Sequence, residues 1–260
     1  MCVTACVMLK PRLEPRKSGP LIDYASFKDF PFIFATLAFF FGYMGMYIPI
    51  YYIQNYALKI NVDQNLAMYF VTILNAGSTL GRILPSYVAD KVGPLNALFP
   101  CMVIATLLIY CWIAIKNRSG LIAFAVLDGF FTGTFVSLPP ACISYLTPDM
   151  SLIGTRIGMS FFVAAFGALA GAPVAGALLT RDHGNYLYAQ LFSGTCMALC
   201  SSCVLASILA NRIRPPARPV SPQDTEADPK LNEIGNEEEN DYFNKVSASE
   251  IPVADGQKSE

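Results

Sequence analysis

Charge is scarce in this chain. Only 14% of its 260 residues are charged, little more than half the usual share for a soluble domain. The 181 residues from Phe30 to Ala210 hold just twelve charges, seven basic and five acidic. A soluble helical bundle keeps a polar face on each helix, and several stretches here have none, so that class is excluded. Histidine is scarcer still. His183 stands alone, which removes His-built metal centres and His-based acid–base pairs. A net charge of −1 averages over unlike regions and by itself says nothing about nucleic acid, and no nucleic-acid partner is expected.

What is present is apolar: 54% hydrophobic residues and a mean hydropathy of +0.44. Six segments, 31–54, 66–88, 96–115, 121–146, 157–180 and 187–210, are long enough to cross a bilayer, which takes about 20 residues. Ten of the twelve charges fall in the short connections; only Arg82 and Asp128 lie within spans. The expected fold is therefore all-α and integral to the membrane, in contact with the lipid bilayer through six transmembrane helices. If the N-terminus faces the cytoplasm, eleven Lys and Arg residues near span ends fall on that side and four on the other. Both termini are thus expected to be cytoplasmic, in either the plasma or the vacuolar membrane.

The chain divides into three regions. In 1–29 the apolar run Cys2 to Leu9 precedes the basic stretch Lys10 to Lys17, the reverse of a signal peptide. That order reads as the stump of a preceding helix followed by a basic cytoplasmic loop. Residues 30–211 form the six-helix bundle. In 212–260 the part from Pro219 onward carries eleven acidic residues against three lysines, the composition of a disordered acidic tail.

The eight cysteines lie mostly in or beside spans and suggest packing. Cys200 and Cys203 make a lone CxxC with no second pair, so no metal or other cofactor is expected. Gly77 and Gly81, Gly129 and Gly133, and Gly167 and Gly171 each have GxxxG spacing, which lets helix backbones approach closely. Pro49, Pro85, Pro100, Pro139, Pro140 and Pro173 interrupt the spans. Each removes a backbone hydrogen bond, which membranes tolerate when a neighbour satisfies the freed carbonyl.

After the second span comes Gly81-Arg82-Ile83-Leu84-Pro85-Ser86-Tyr87-Val88-Ala89-Asp90-Lys91-Val92-Gly93-Pro94-Leu95-Asn96. Asp90 and Lys91 close a helix, Gly93 permits a left-handed turn, and Pro94 suits the first position of the next helix. Asp90 can then lie near that helix's positive end. The stretch resembles the cytoplasmic loop of the major facilitator superfamily, G-x3-D-[RK]-x-G-x-[RK]-[RK], at Asp90, Lys91 and Gly93. Ser86 replaces the leading glycine, and Leu95 and Asn96 the trailing basic residues. With "GFFTGTFVSLPPACISYLTP" and "KPRLEPRKSGPLIDYASFKDFPF", it is similar to the C-terminal half of fungal proteins of the monocarboxylate-transporter-like branch. That resemblance implies that the six spans are helices seven to twelve of a twelve-helix carrier. It also implies a conformational gate at Asp90, Lys91 and Gly93.

Intramembrane charges are costly and point to function. Asn75, Ser78, Arg82 and Ser86 fall at i, i+3, i+7 and i+11, one polar stripe expected to face a cavity. Arg82 offers a planar fork that suits a carboxylate, and the resemblance likewise implies carboxylate binding by an arginine of this helix. Ser78 stands where the animal carriers have an aspartate. The competing reading is that Arg82 snorkels to an interface, since Asp90 is only about 12 Å further along the helix. Asp128, with Thr132 one turn on, reads as a proton-coupling carboxylate, a partner of Arg82, or a protonated hydrogen-bonding group. Tyr43, Tyr47, Tyr51 and Gln54, at i, i+4, i+8 and i+11, either line a pocket for a flat organic anion or pack as core and interfacial aromatics.

Two functions compete. One is alternating-access transport of a small organic solute, a monocarboxylate or similar anion, bound by Arg82, Asn75, Ser78, Tyr43 and Tyr47. The other is a truncated, non-transporting membrane protein, inactive or acting through association. Substrate sites of this kind lie between two six-helix halves, so transport implies a second half or a homodimer. No nucleophile or carboxylate pair suggests an enzyme.

Overall fold

The computed structural model describes residues 24–148, 152–181 and 185–213. They belong to one compact unit, Met1–Pro216; the other, Ala217–Glu260, lies outside the described residues. The expectations for the N-terminal stump, most of the basic loop and the acidic tail therefore also lie outside them.

A short 3-10 turn, Tyr24–Lys28, leads into seven helices: α1 Phe30–Lys59, α2 Gln64–Val92, α3 Pro94–Ala114, α4 Arg118–Ser137, α5 Pro139–Leu146, α6 Ile153–Arg181 and α7 Leu187–Ile213. α4 and α5 together make one span, so six membrane-crossing units match the six expected segments, each within a few residues. α1, α3, α4 with α5, α6 and α7 are long and apolar enough to cross a bilayer. α2 is as long but more polar, because it carries Asn75, Ser78, Thr79, Arg82, Ser86, Asp90 and Lys91. Short connections make successive units antiparallel, with one end of the bundle marked by Asp29 and the other by Lys59.

Each boundary has a local cause. Pro31 sits in the first turn of α1 and Pro94 in that of α3, where a missing N–H costs nothing. Gly93 separates α2 from α3 at φ +96°, ψ 141°, a conformation closed to residues with a Cβ. Its N–H donates to Ala89 at 2.9 Å while its carbonyl accepts from Ala97 at 3.0 Å, so both helices are closed through a single residue. The fourth span breaks at Leu138 because Pro139 and Pro140 supply no donors; the ladder resumes with Cys142 N–H to Leu138 at 2.9 Å.

Burying apolar surface drives little association within lipid, so close packing and interhelical hydrogen bonds hold such bundles. All three GxxxG pairs are used. A methyl on Gly77 or Gly81 of α2 would overlap the backbone of Val126 or Phe130, and one on Gly129 or Gly133 of α4 would overlap Leu74 or Ser78. Gly167 and Gly171 of α6 meet Phe40 and Met44 of α1 in the same way.

Two prolines inside helices have their freed carbonyls satisfied from a neighbouring helix. Pro49 cannot bond to Gly45, and Ser193 Oγ of α7 donates to the Gly45 carbonyl at 2.8 Å. Pro85 cannot bond to Gly81, and Thr134 Oγ1 of α4 donates there at 3.0 Å. At the Lys59 end an aromatic cluster joins four elements: Trp112 stacks on Phe124 at 5.3 Å, and Tyr56 meets Trp112 and Tyr186 edge-on at 5.4 and 5.3 Å. Large apolar side chains such as Leu80, Ile83, Phe162, Phe166 and Leu169 remain exposed, as suits helices in hydrocarbon.

Candidate functional site

The site begins on α2, whose buried face carries Leu74, Gly77, Ser78, Gly81 and Pro85 against its neighbours. Asn75 and Arg82 point away from that face and are exposed. The expected single stripe is therefore divided. Ser78 is only 8% exposed, pressed beneath Gly133 of α4, because its position lies about 60° around the helix from Asn75. Asn75 turns its amide onto its own helix, donating to Val71 at 2.9 Å. Ser86 donates to the Arg82 carbonyl at 2.6 Å and lies 3.4 Å from Ser137 Oγ of α4.

The Arg82 guanidinium has no hydrogen bond or ion pair among the described residues. The preceding residue, Gly81, accepts from Thr134 of α4, and the adjoining Phe135 packs on Tyr43 of α1, which puts Arg82 at the level of Tyr43 in the bundle. Tyr43 is held from three sides, by Phe135 of α4 at 5.1 Å, Phe161 of α6 at 6.3 Å and Tyr47 at 6.1 Å. Arg82, Tyr43 and Tyr47 thus form one group assembled from two helices, with Asn75 further along the exposed face of α2.

Asp128 of α4 is fully buried, and neither carboxyl oxygen has a hydrogen-bond partner. It does not pair with Arg82. It shares a face of α4 with Leu121, Phe124, Ala125 and Phe135, all buried in apolar clusters. Thr132 donates not to the Asp128 carboxyl but to its backbone carbonyl, at 2.7 Å.

Gly93 takes the positive φ that the turn requires. Asp90 and Lys91 are exposed beside it, and α3 starts with no side-chain cap, so the expected approach of Asp90 to that helix is not made as a capping bond. Lys91 Nζ lies 4.8 Å over the Tyr87 ring. A cavity of about 460 Å³ opens here, lined by Ser86, Asp90, Lys91, Gly93, Ser137 and Tyr145 among others.

Sequence reasoning missed Arg156 by counting it as a loop charge. It lies in the first turn of α6, is 6% exposed, pairs with Asp29 at 3.1 Å and stacks over Phe32 at 5.4 Å. Its Nη1 also reaches the carbonyl of Leu146, the last residue of α5, at 3.5 Å. The available signal was the run from Ile153 onward, helical in period and without a breaker until Pro173. Among the described residues no cluster of three His, Cys, Asp or Glu side chains could hold a metal ion.

A bundle of five long apolar units and a sixth, more polar one, packed through glycines and holding charge at only a few interior points, defines an integral, multi-pass membrane protein. Residues 33–250 match the sequence model described as Major Facilitator Superfamily, and the chain belongs to that family; its six-helix bundle is of the kind that makes one half of that fold. It is 42% identical over 177 residues to an MFS-type transporter of Emericella nidulans, covering 68% of this chain and 40% of that protein. An aspyridones efflux protein of the same fungus is 34% identical over 193 residues, 74% of this chain and 39% of its own length. An agnestins efflux protein of Paecilomyces divaricatus is 32% identical over 206 residues, 79% and 47%. The chain spans less than half the length of these relatives.

Proposed function

We propose that the protein moves a small organic anion, a monocarboxylate or a similar acid, across a membrane by alternating access. It does so as the C-terminal six helices of a twelve-helix arrangement in the monocarboxylate-transporter-like branch, with both termini cytoplasmic. The observation that carries this reading is Arg82: a permanent charge within a span, exposed, without an ion-pair partner among the described residues, and level with Tyr43. A guanidinium so placed is an electrostatic socket for a carboxylate. Asn75, Tyr43 and Tyr47 add polar and aromatic contacts, while Ser78, pressed beneath Gly133, joins them only when the α2–α4 contact opens. The second half of the site comes from another six-helix half, in the same polypeptide or in a second copy. The names of the aspyridones and agnestins relatives favour export as the direction.

Asp128 serves as the proton-coupling group in this reading. A carboxyl without partners in an apolar wall can exchange a proton only when a conformational change admits water. The turn at Asp90, Lys91 and Gly93 is the gate, where the α2–α3 junction bends as the bundle rocks. The test is transport by cells or vesicles carrying the protein. Arg82→Ala is expected to abolish movement of the acid while leaving membrane insertion intact. Unchanged transport would remove Arg82 from the site, and absence of transport by the unaltered protein would favour the non-transporting alternative.

A further inference from the structure

α1 carries five tyrosines, and the structure sorts them into two sets. Tyr52 and Tyr56 turn toward the bundle and donate to the carbonyls of Ala172 at 3.3 Å and Ile115 at 2.6 Å. Tyr43, Tyr47 and Tyr51 lie on the other side of the helix, each about 40° further round than the last. Their rings form a ladder: 6.1 Å between Tyr43 and Tyr47, 5.9 Å between Tyr47 and Tyr51, with a tilt of 29° at both steps.

Exposure increases along the ladder, from 8% at Tyr43, through a half-buried Tyr47, to 58% at Tyr51. None of the three hydroxyls is hydrogen-bonded among the described residues. Hydrocarbon offers a phenol no partner, so three such hydroxyls in register suit a surface that meets polar matter, in contrast to Tyr52 and Tyr56.

The geometry also limits how a ligand can approach. A ring held between two others needs them about 7 Å apart, twice the contact distance of carbon atoms. Rungs about 6 Å apart are therefore closed to intercalation. What they offer outward is a column of hydroxyls and positively polarised ring edges. Arg82 stands level with the inner end, since Gly81 bonds to Thr134 and Tyr43 packs on Phe135.

We infer that this ladder recognises a planar, polyoxygenated aromatic acid, its carboxylate at Arg82 and its ring oxygens accepting hydrogen bonds from Tyr47 and Tyr51. The inference rests on the anion-carrier reading above and narrows its substrate class. An aliphatic acid of equal charge satisfies Arg82 but leaves the column unused.

The test is equilibrium binding to the full chain in lipid nanodiscs, with radiolabelled 6,8-dihydroxy-2-naphthoate, whose two ring oxygens lie on the ring away from the carboxylate, and octanoate as probes. The dihydroxynaphthoate is expected to bind more tightly. Tyr47→Phe and Tyr51→Phe, which keep the rings stacked and so spare the fold, are each expected to weaken it about fivefold, the worth of one hydrogen bond, and to leave octanoate unchanged. Arg82→Gln is expected to weaken both acids. If Arg82→Gln weakens both while the two phenylalanine variants match the unaltered chain, the anion site stands and the ladder proposal falls. If Arg82→Gln changes neither, the anion reading falls and takes the ladder with it. Equal affinity for the two acids, or binding of neither, overturns the proposal outright.

Discussion

The hydroxyl of Thr134 donates, across a helix boundary, to the carbonyl of Gly81 that Pro85 leaves without its usual partner. Interhelical bonds of this kind contribute about 0.6 kcal/mol on average and up to about 1.7 in bilayers. This one satisfies a backbone acceptor that has lost its own donor, so the upper part of that range applies. Thr134→Val, nearly isosteric, is expected to lower thermal stability in detergent by a few degrees, while Thr134→Ser retains it. Ser193→Ala, which frees Gly45 beneath Pro49, should behave like Thr134→Val.

The α2–α4 crossing is closer than any side chain permits at Gly81, where a methyl would run into the Phe130 carbonyl. Overpacking costs about 1–3 kcal/mol where neighbours can yield, and backbone yields least. Gly81→Ala is expected to reduce accumulation of the folded protein, read as the monodisperse fraction in size-exclusion chromatography. Gly154→Ala, on the open side of α6 with nothing near its added methyl, is the control and should be neutral.

The Arg156–Asp29 pair ties the start of α6 to the start of α1. Asp29 is about a third exposed, so solvent weakens the pair, but Arg156 is buried and its partners cannot be replaced by water without cost. Arg156→Gln is expected to lower the melting temperature by several degrees. Arg156→Lys should restore only part of the loss, since an ammonium cannot lie flat over Phe32 while reaching both Asp29 and Leu146. Full rescue by lysine would mean that charge alone matters there.

For Asp128 the expected outcome concerns pH. Asp128→Asn keeps the shape and the burial but cannot exchange a proton, so under the proposed coupling role transport by the variant should lose its dependence on external pH. Transport that stays pH-dependent would return Asp128 to a structural role.

Much of this architecture was legible in the sequence because lipid leaves a chain few options. Apolar length set the six spans, and small residues at spacing four marked the three close crossings. The proline carbonyls were also foreseeable as a need, though not the hydroxyls that meet it, since Thr134 and Ser193 are distant in sequence from Gly81 and Gly45. The site was less legible. Ser78 looked like a neighbour of Asn75 and Arg82, yet a 60° rotation puts it under α4, and periodicity alone does not say where a packed arc ends. Arg156 was hidden because a charge close to a connection looks solvated until the helix is known to begin before it.

The paired prolines at 139 and 140 divide the fourth span into a 20-residue rod and an eight-residue tip. Mechanically this is a lever about 12 Å long, pivoting at Leu138, with its far end at Leu146 touched by Arg156. A swing of about 10° would carry that end about 2 Å, by the same helical rise, enough to break its contact with the guanidinium. A tilt of the tip need not bend the rod that carries Asp128, and what holds it at rest is Arg156 of α6 together with the core in which Cys142, Ile143 and Leu146 are buried.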